Sequence, residues 1–298
     1  MENIKKTFSR IGLSYITINI IGLLLLFIFT ISMTRTMPQM ASNKSLLLGL
    51  SVFTQFIIPL PILYFLLKKI KTTHINKKSL SLKTFLIYIC ITLALMNIGS
   101  FIGSGITEII GIFKVNDIAN PLANFVTNDT LWASLIVTSI ITPIVEELFF
   151  RKLLIDRTIK YGAGISILIS ALMFGLYHAN LNQLIYSLLV GGFFAAVYVK
   201  TGNVIYTILL HMAANFTGSI VTTSINNLIA STGNIVNFVY YGIVIVLILI
   251  AVYYLYMWRG KYKGLKNNIQ KEIKPSLLNV GMVLYIIYFA IFIISSVV

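Results

Sequence analysis

The sequence predicts an all-α protein, a polytopic transmembrane helical bundle of about eight or nine spans, on three observations. Of its 298 residues, 58% are apolar and only 10% are charged, and the mean hydropathy is +0.92. A soluble domain carries roughly a quarter charged residues. The shortfall leaves long apolar runs, and inside a bilayer every backbone polar group must be satisfied within the segment, which helices achieve. The period-two alternation of an outer-membrane barrel is absent from the sequence.

The first apolar run, Ile11 to Met33, follows Lys5, Lys6 and Arg10. It is too long for the apolar core of a secretory signal and no small-x-small cleavage site follows, so it is expected to be an uncleaved first span over 11–34. Further spans are expected over about 46–67, 84–113, 131–150 (helical on to 160), 163–179, 182–199, 204–222, 235–257 and 276–298, the third broken near Gly99, Gly103 and Gly105.

Charge sets the orientation. Lys68, Lys69, Lys71, Lys77, Lys78 and Lys83 lie in 68–83. Arg151, Lys152, Arg157 and Lys160 lie in 151–160, and Arg259, Lys261, Lys263, Lys266, Lys271 and Lys274 in 258–275. The opposite connections, 114–130, 180–183 and 223–234, hold only Lys114. The positive-inside rule then places the N-terminus in the cytoplasm of a cell-membrane, multi-pass protein, and nine spans put the C-terminus outside. The net charge of +15 therefore reads as attraction to the lipid bilayer, not as a nucleic-acid footprint. Tyr253, Tyr254, Tyr256 and Trp258 form an expected interfacial belt before Arg259. Cys90 stands alone in an apolar run, so it forms no intrachain disulfide and is expected to be a buried small residue. The chain divides into N-terminal helices (1–130), a central block (131–222) and C-terminal helices (223–298), with the long basic segments as interfacial loops and no soluble domain.

The chemistry is concentrated in very few residues. Of the eight acidic residues, Glu2, Glu108, Asp117, Asp129, Asp156 and Glu272 fall in or near loops, helix ends or amphipathic segments, whereas Glu146 and Glu147 interrupt an apolar run. Burying two carboxylates is costly unless they are paired, protonated or facing a wet cavity, so they mark a functional site. Arg151 follows Glu147 at i,i+4 and supplies a structural ion pair, while Glu146 points about 100° away and is left for chemistry. Of three histidines, His74 lies in the Lys-rich segment and needs no role beyond solvation. His178 and His211 lie in apolar runs, and Asn215 follows His211 at i+4.

Depth links these residues. Glu146 precedes Gly162 by sixteen residues and His178 follows it by sixteen, so an antiparallel hairpin brings both to one height at about 1.5 Å per residue. His211 and Asn215, nine and thirteen residues beyond Gly202, fall somewhat lower but within reach after tilt. No GxSxG or HExxH motif is present, which leaves covalent catalysis and a zincin helix without support. A carboxylate and an imidazole that hold and deprotonate water, with an imidazole N–H and an Asn amide facing an oxyanion, suit peptide hydrolysis. A zinc site on Glu146, His178 and His211 remains the competing class.

Glu146-Glu147-Leu148-Phe149-Phe150-Arg151 fits EExxxR, Phe174 to His178 fits FxxxH and His211 to Asn215 fits HxxxN. In this order, over 131–222, the chain resembles the CPBP family, which includes type II CAAX prenyl endopeptidases and bacteriocin-processing or self-immunity (ABI) proteins. Gly191-Gly192 and the Thr201-Gly202-Asn203 turn agree with it. The resemblance implies an intramembrane endopeptidase similar to glutamic peptidases, with no cofactor and no catalytic metal. It implies that Glu146 and His178 activate water, that His211 and Asn215 form the oxyanion site, that Glu147 and Arg151 brace the first motif, and that Phe174 packs within the chamber. The implied partner is a membrane-associated protein or peptide substrate. The other readings are a non-proteolytic membrane scaffold or self-immunity protein, a proton-coupled transporter, and a zinc-dependent membrane protease.

Overall fold

The computed structural model describes residues 3–112, 130–232, 235–259 and 266–296. The expected connection at 114–129 with Lys114, Asp117 and Asp129, together with Glu2, Lys261 and Lys263, lies outside the described residues. Among those described, the structure is helical without strands, and seven helices are long and apolar enough to cross a membrane. These are α1 (Ile4–Thr36), α2 (Lys44–Leu67), α3 (Leu82–Ile112), α4 (Leu131–Tyr161), α6 (Leu181–Thr201), α7 (Val204–Ile229) and α8 (Ile235–Trp258). Two shorter apolar helices, α5 (Ala163–Tyr177) and α10 (Val280–Ser295), complete the expected set. A polytopic helical bundle is therefore the architecture.

Three expectations are corrected. The helix α3 is unbroken at its glycines, and two of the three serve packing: a Cβ on Gly99 would collide with the Tyr186 backbone of α6, and one on Gly103 would meet the Asn182 carbonyl oxygen at 2.7 Å, while Gly105 faces open space. Part of the expected loop 258–275 is a helix, α9 (Lys266–Leu277), whose Ile273 and Leu277 pack on the core. Cys90 is half-buried, not buried. Of the acidic residues expected in or near loops, helix ends or amphipathic segments, Glu108 is exposed near the end of α3, and Asp156 is near the end of α4, buried and paired with Lys152 at 2.6 Å.

Two apolar clusters divide the bundle. One joins α1, α2, α4, α5 and α10 through Phe8, Tyr15, Leu63, Phe149, Phe150 and Phe289. The other joins α3, α6, α7 and α8 through Tyr88, Ile91, Phe194, Leu210 and Ala251. α1 packs along α10, where Gly12 lies against Gly281 and the Gly281 N–H donates to Ser9 Oγ at 3.0 Å. Small residues at such a crossing let two backbones approach, the usual route to helix association in lipid.

The basic segments meet at one end of the bundle. Arg10 and Arg157 donate to the carbonyls of Leu66 and Leu67, Lys160 donates to that of Lys71, and Lys200 lies over the Trp258 ring at 5.6 Å. The Tyr254 ring lies against Trp258, tilted, at 5.4 Å.

Candidate active site

The site lies where the two clusters meet. Glu146 and Glu147 come from the middle of α4, His178 caps the C-terminal end of α5, and His211 and Asn215 come from α7. Glu147 and Arg151 are fully buried, and Glu146 and His211 are 6% and 4% exposed. Charged side chains this deep persist only with partners.

Glu147 has them. Its Oε2 lies 3.1 Å from Arg151 Nε and its Oε1 lies 3.0 Å from His211 Nδ1. The Arg151 contact is an ion pair by distance, but it is not aligned as a hydrogen bond, and the Nη2 of Arg151 has no protein acceptor. Arg151 Nη1 reaches Ser170 Oγ at 3.5 Å, which itself donates to the Phe150 carbonyl. The guanidinium is further held over the Phe174 ring at 4.6 Å and the Phe194 ring at 5.7 Å, positions that favour a desolvated cation.

His211 bridges the two glutamates: its Nε2 is 3.5 Å from Glu146 Oε2. This contact departs from the expected heights, which put His211 below Glu146. Residues Leu148–Leu153 are π-helical, and such a winding carries more residues per ångström of height. The 3-10 turn Ile159–Tyr161 offsets this by rising more per residue, so counting residues from Gly162 does not give the height of Glu146, and His211 meets it directly. His178, sixteen residues up a regular α-helix, makes no hydrogen bond to either glutamate among the described residues. Its Nδ1 is 2.8 Å from the Phe174 carbonyl, which can only accept, so Nδ1 carries a proton, while Nε2 makes no hydrogen bond among the described residues. The Phe174 ring stands edge-on to His178 and His211 at 4.8 and 5.6 Å. Gly191 makes room for that ring, since a Cβ there would lie 2.6 Å from it. Ala179, at φ +50°, turns the chain sharply away just after His178.

Asn215 lies a turn farther along α7. Its Nδ2 donates to the Thr138 carbonyl at 2.8 Å, within the π-helical turn Val137–Ile141, which tethers it to α4. Among the described residues, no three His, Cys, Asp or Glu side chains are arranged to hold a metal ion. The structure thus gathers Glu146, Glu147, Arg151, Phe174 and His211 in direct contact, and sets His178 and Asn215 at the rim. Sequence reasoning missed Phe194, Ser170 and the Thr138 carbonyl. Nothing local marks them, because each acts through long-range packing.

Residues 128–217 match the family model described as Type II CAAX prenyl endopeptidase Rce1-like. A curated relative, "Putative membrane peptidase YdiL" of Bacillus subtilis (strain 168), is 38% identical over 85 residues, covering 27% of this chain and 34% of that protein. The chain thus spans about a third of the length of that relative. No solved structure matches. Both matches agree with the CPBP recognition made from the three motifs.

Proposed function

We propose, with CPBP-family kinship over the central helices as premise, that this chain is an intramembrane endopeptidase acting on membrane-associated proteins or peptides in the cell membrane, its N-terminus and basic end cytoplasmic. The observation that carries the reading is the buried contact of His211 with both Glu147 and Glu146, beside a His178 with a free Nε2.

In this mechanism Glu146 accepts a proton from a water whose oxygen attacks the scissile carbonyl carbon. The Nε2 lone pair of His178 accepts the second O–H of that water and fixes its direction. Glu147, held anionic by Arg151, takes the Nδ1–H of His211, which a carboxylate paired with a guanidinium can only accept. A proton on Nε2 then makes His211 a cation facing Glu146, and the two carboxylates and two cations sum to zero charge. That balance suits a site excluded from water. The Nε2–H of His211 and the second amide N–H of Asn215 donate to the oxyanion, each such donor contributing about 3–4 kcal/mol. When the C–N bond breaks, Glu146 returns its proton to the leaving amine. The substrate binds extended across the chamber without a prosthetic group.

The test compares peptides from membranes containing the wild-type chain with those containing Glu146→Gln. A buried general base contributes roughly 10²–10⁴-fold, so cleavage products should vanish while the protein accumulates normally. Undiminished cleavage by the variant would remove Glu146 from the chemistry.

A further inference from the structure

The connection from α2 to α3 is neither helix nor strand over residues 71–81, yet it is firmly tied down. The Thr73 N–H donates to the Asp156 carbonyl at 2.6 Å, the Lys78 N–H to the Thr201 carbonyl at 2.7 Å, and the Leu80 N–H to Tyr206 Oη at 3.0 Å. Gly202, at φ +60°, sits tight beneath this strap: a Cβ there would lie 2.5 Å from the Ile75 carbonyl oxygen. Three helices, α4, α6 and α7, therefore hold one irregular segment at the basic end.

Between the strap and the ends of α4 and α6 is a cleft of about 290 Å³. Thr73, His74, Asn76, Lys78 and Lys200 supply its polar lining, and no carboxylate lines it. The nearby acid, Asp156, is already matched by Lys152 at 2.6 Å and by the Tyr198 hydroxyl at 2.7 Å. The side chains of Thr73, His74, Asn76 and Lys78 make no hydrogen bond or ion pair among the described residues. Lys200 holds its ammonium 2.9 Å from Tyr88 Oη, which fixes a positive charge in the cleft wall. Apart from Lys200, these exposed side chains have no protein acceptor among the described residues.

We propose that this cleft binds a phosphate group, and that the group is the headgroup phosphate of an anionic phospholipid. The lipid source follows from what adjoins the cleft. Lys200 lies over Trp258, Trp258 lies against Tyr254, and Tyr254 lines an apolar groove of about 520 Å³ between α3 and α8 with Leu86, Ile87 and Ile250. A phosphate held by the strap can extend an acyl chain into that groove. Basic pockets between membrane helices bind anionic headgroups by the same physics.

The experiment uses the full chain purified in a neutral detergent, with lipid binding read by native mass spectrometry. The probes are phosphatidylglycerol, phosphatidylcholine and inorganic phosphate. The variant is Lys78→Gln with Lys200→Gln, both exposed side chains that line the cleft. The charge-matched control is Lys69→Gln with Lys77→Gln, outside the cleft. Phosphatidylglycerol should be retained in preference to phosphatidylcholine, and the cleft variant should weaken it by about tenfold or more, at about 1 kcal/mol per cation near the surface, while the control changes it little. Equal loss in control and variant would mean diffuse surface attraction and overturn the proposal. Protection by inorganic phosphate alone, lost in the cleft variant, would keep the phosphate site but overturn its lipid assignment. Wild-type lipid preference in the cleft variant would overturn both.

Discussion

The Nδ1 of His211 lies 3.0 Å from Oε1 of Glu147, so the second glutamate of the first motif orients the imidazole that contacts the first glutamate. Glu147 thereby has two tasks, balancing Arg151 and holding the His211 ring in place. The ion pair alone would not need α7; the hydrogen bond ties α7 to α4.

Glu147→Ala should therefore be far more damaging to stability than Glu146→Gln. It leaves Arg151 buried without a counter-charge, a loss of roughly 3–5 kcal/mol. Thermal unfolding in detergent should show a large drop, and adding Arg151→Met should restore much of it. A drop no larger than that of Glu146→Gln would contradict the buried-pair argument.

Asn215→Ala should separate activity from folding. Losing one oxyanion donor costs about 10²–10³ in kcat, whereas losing its bond to the Thr138 carbonyl costs about 1 kcal/mol of stability. Steady-state cleavage and thermal unfolding measured on one preparation check both. Unchanged kcat would leave Asn215 as a tether only.

Gly191→Ala tests the packing behind the site. The added methyl displaces the Phe174 ring that touches His178, His211 and Arg151, and overpacking of this kind costs about 1–3 kcal/mol. Activity should fall, and a compensating Phe174→Leu should recover part of the stability. Wild-type behaviour in Gly191→Ala would show that the ring has room to move.

Chelation gives the fourth prediction. His178 and His211 each direct Nδ1 to a carbonyl or carboxylate, as a zinc ligand would, but among the described residues no three His, Cys, Asp or Glu side chains are arranged to hold a metal ion. With Nε2 of His211 turned to Glu146, we expect cleavage to survive prolonged treatment with a strong zinc chelator. Activity lost on chelation and regained with zinc would replace the water-activation scheme with a metalloprotease.

Much of this was legible in the residues. Apolar runs located the nine apolar helices found among the described residues because length and hydropathy decide insertion in lipid. Glu146, Glu147, His178, His211 and Asn215 stood out because polar groups are rare in such runs. What the sequence concealed was winding. The π-helical turn at Leu148–Leu153 and the 3-10 turn at Ile159–Tyr161 have no local signature, yet both lie between Glu146 and the hairpin turn and defeat a count at a constant rise. Gly99 and Gly103 misled for a related reason: a glycine that weakens a helix in water admits a neighbouring backbone in the bundle.

The bond from Gly281 to Ser9 joins positions 272 residues apart. It cannot form until α10 has been synthesised, whereas α1 also meets α2 at Gly22 and α4 through the Tyr15 hydroxyl. A substitution that opens this clasp therefore acts on the last-made of the described helices and leaves every reacting atom in place.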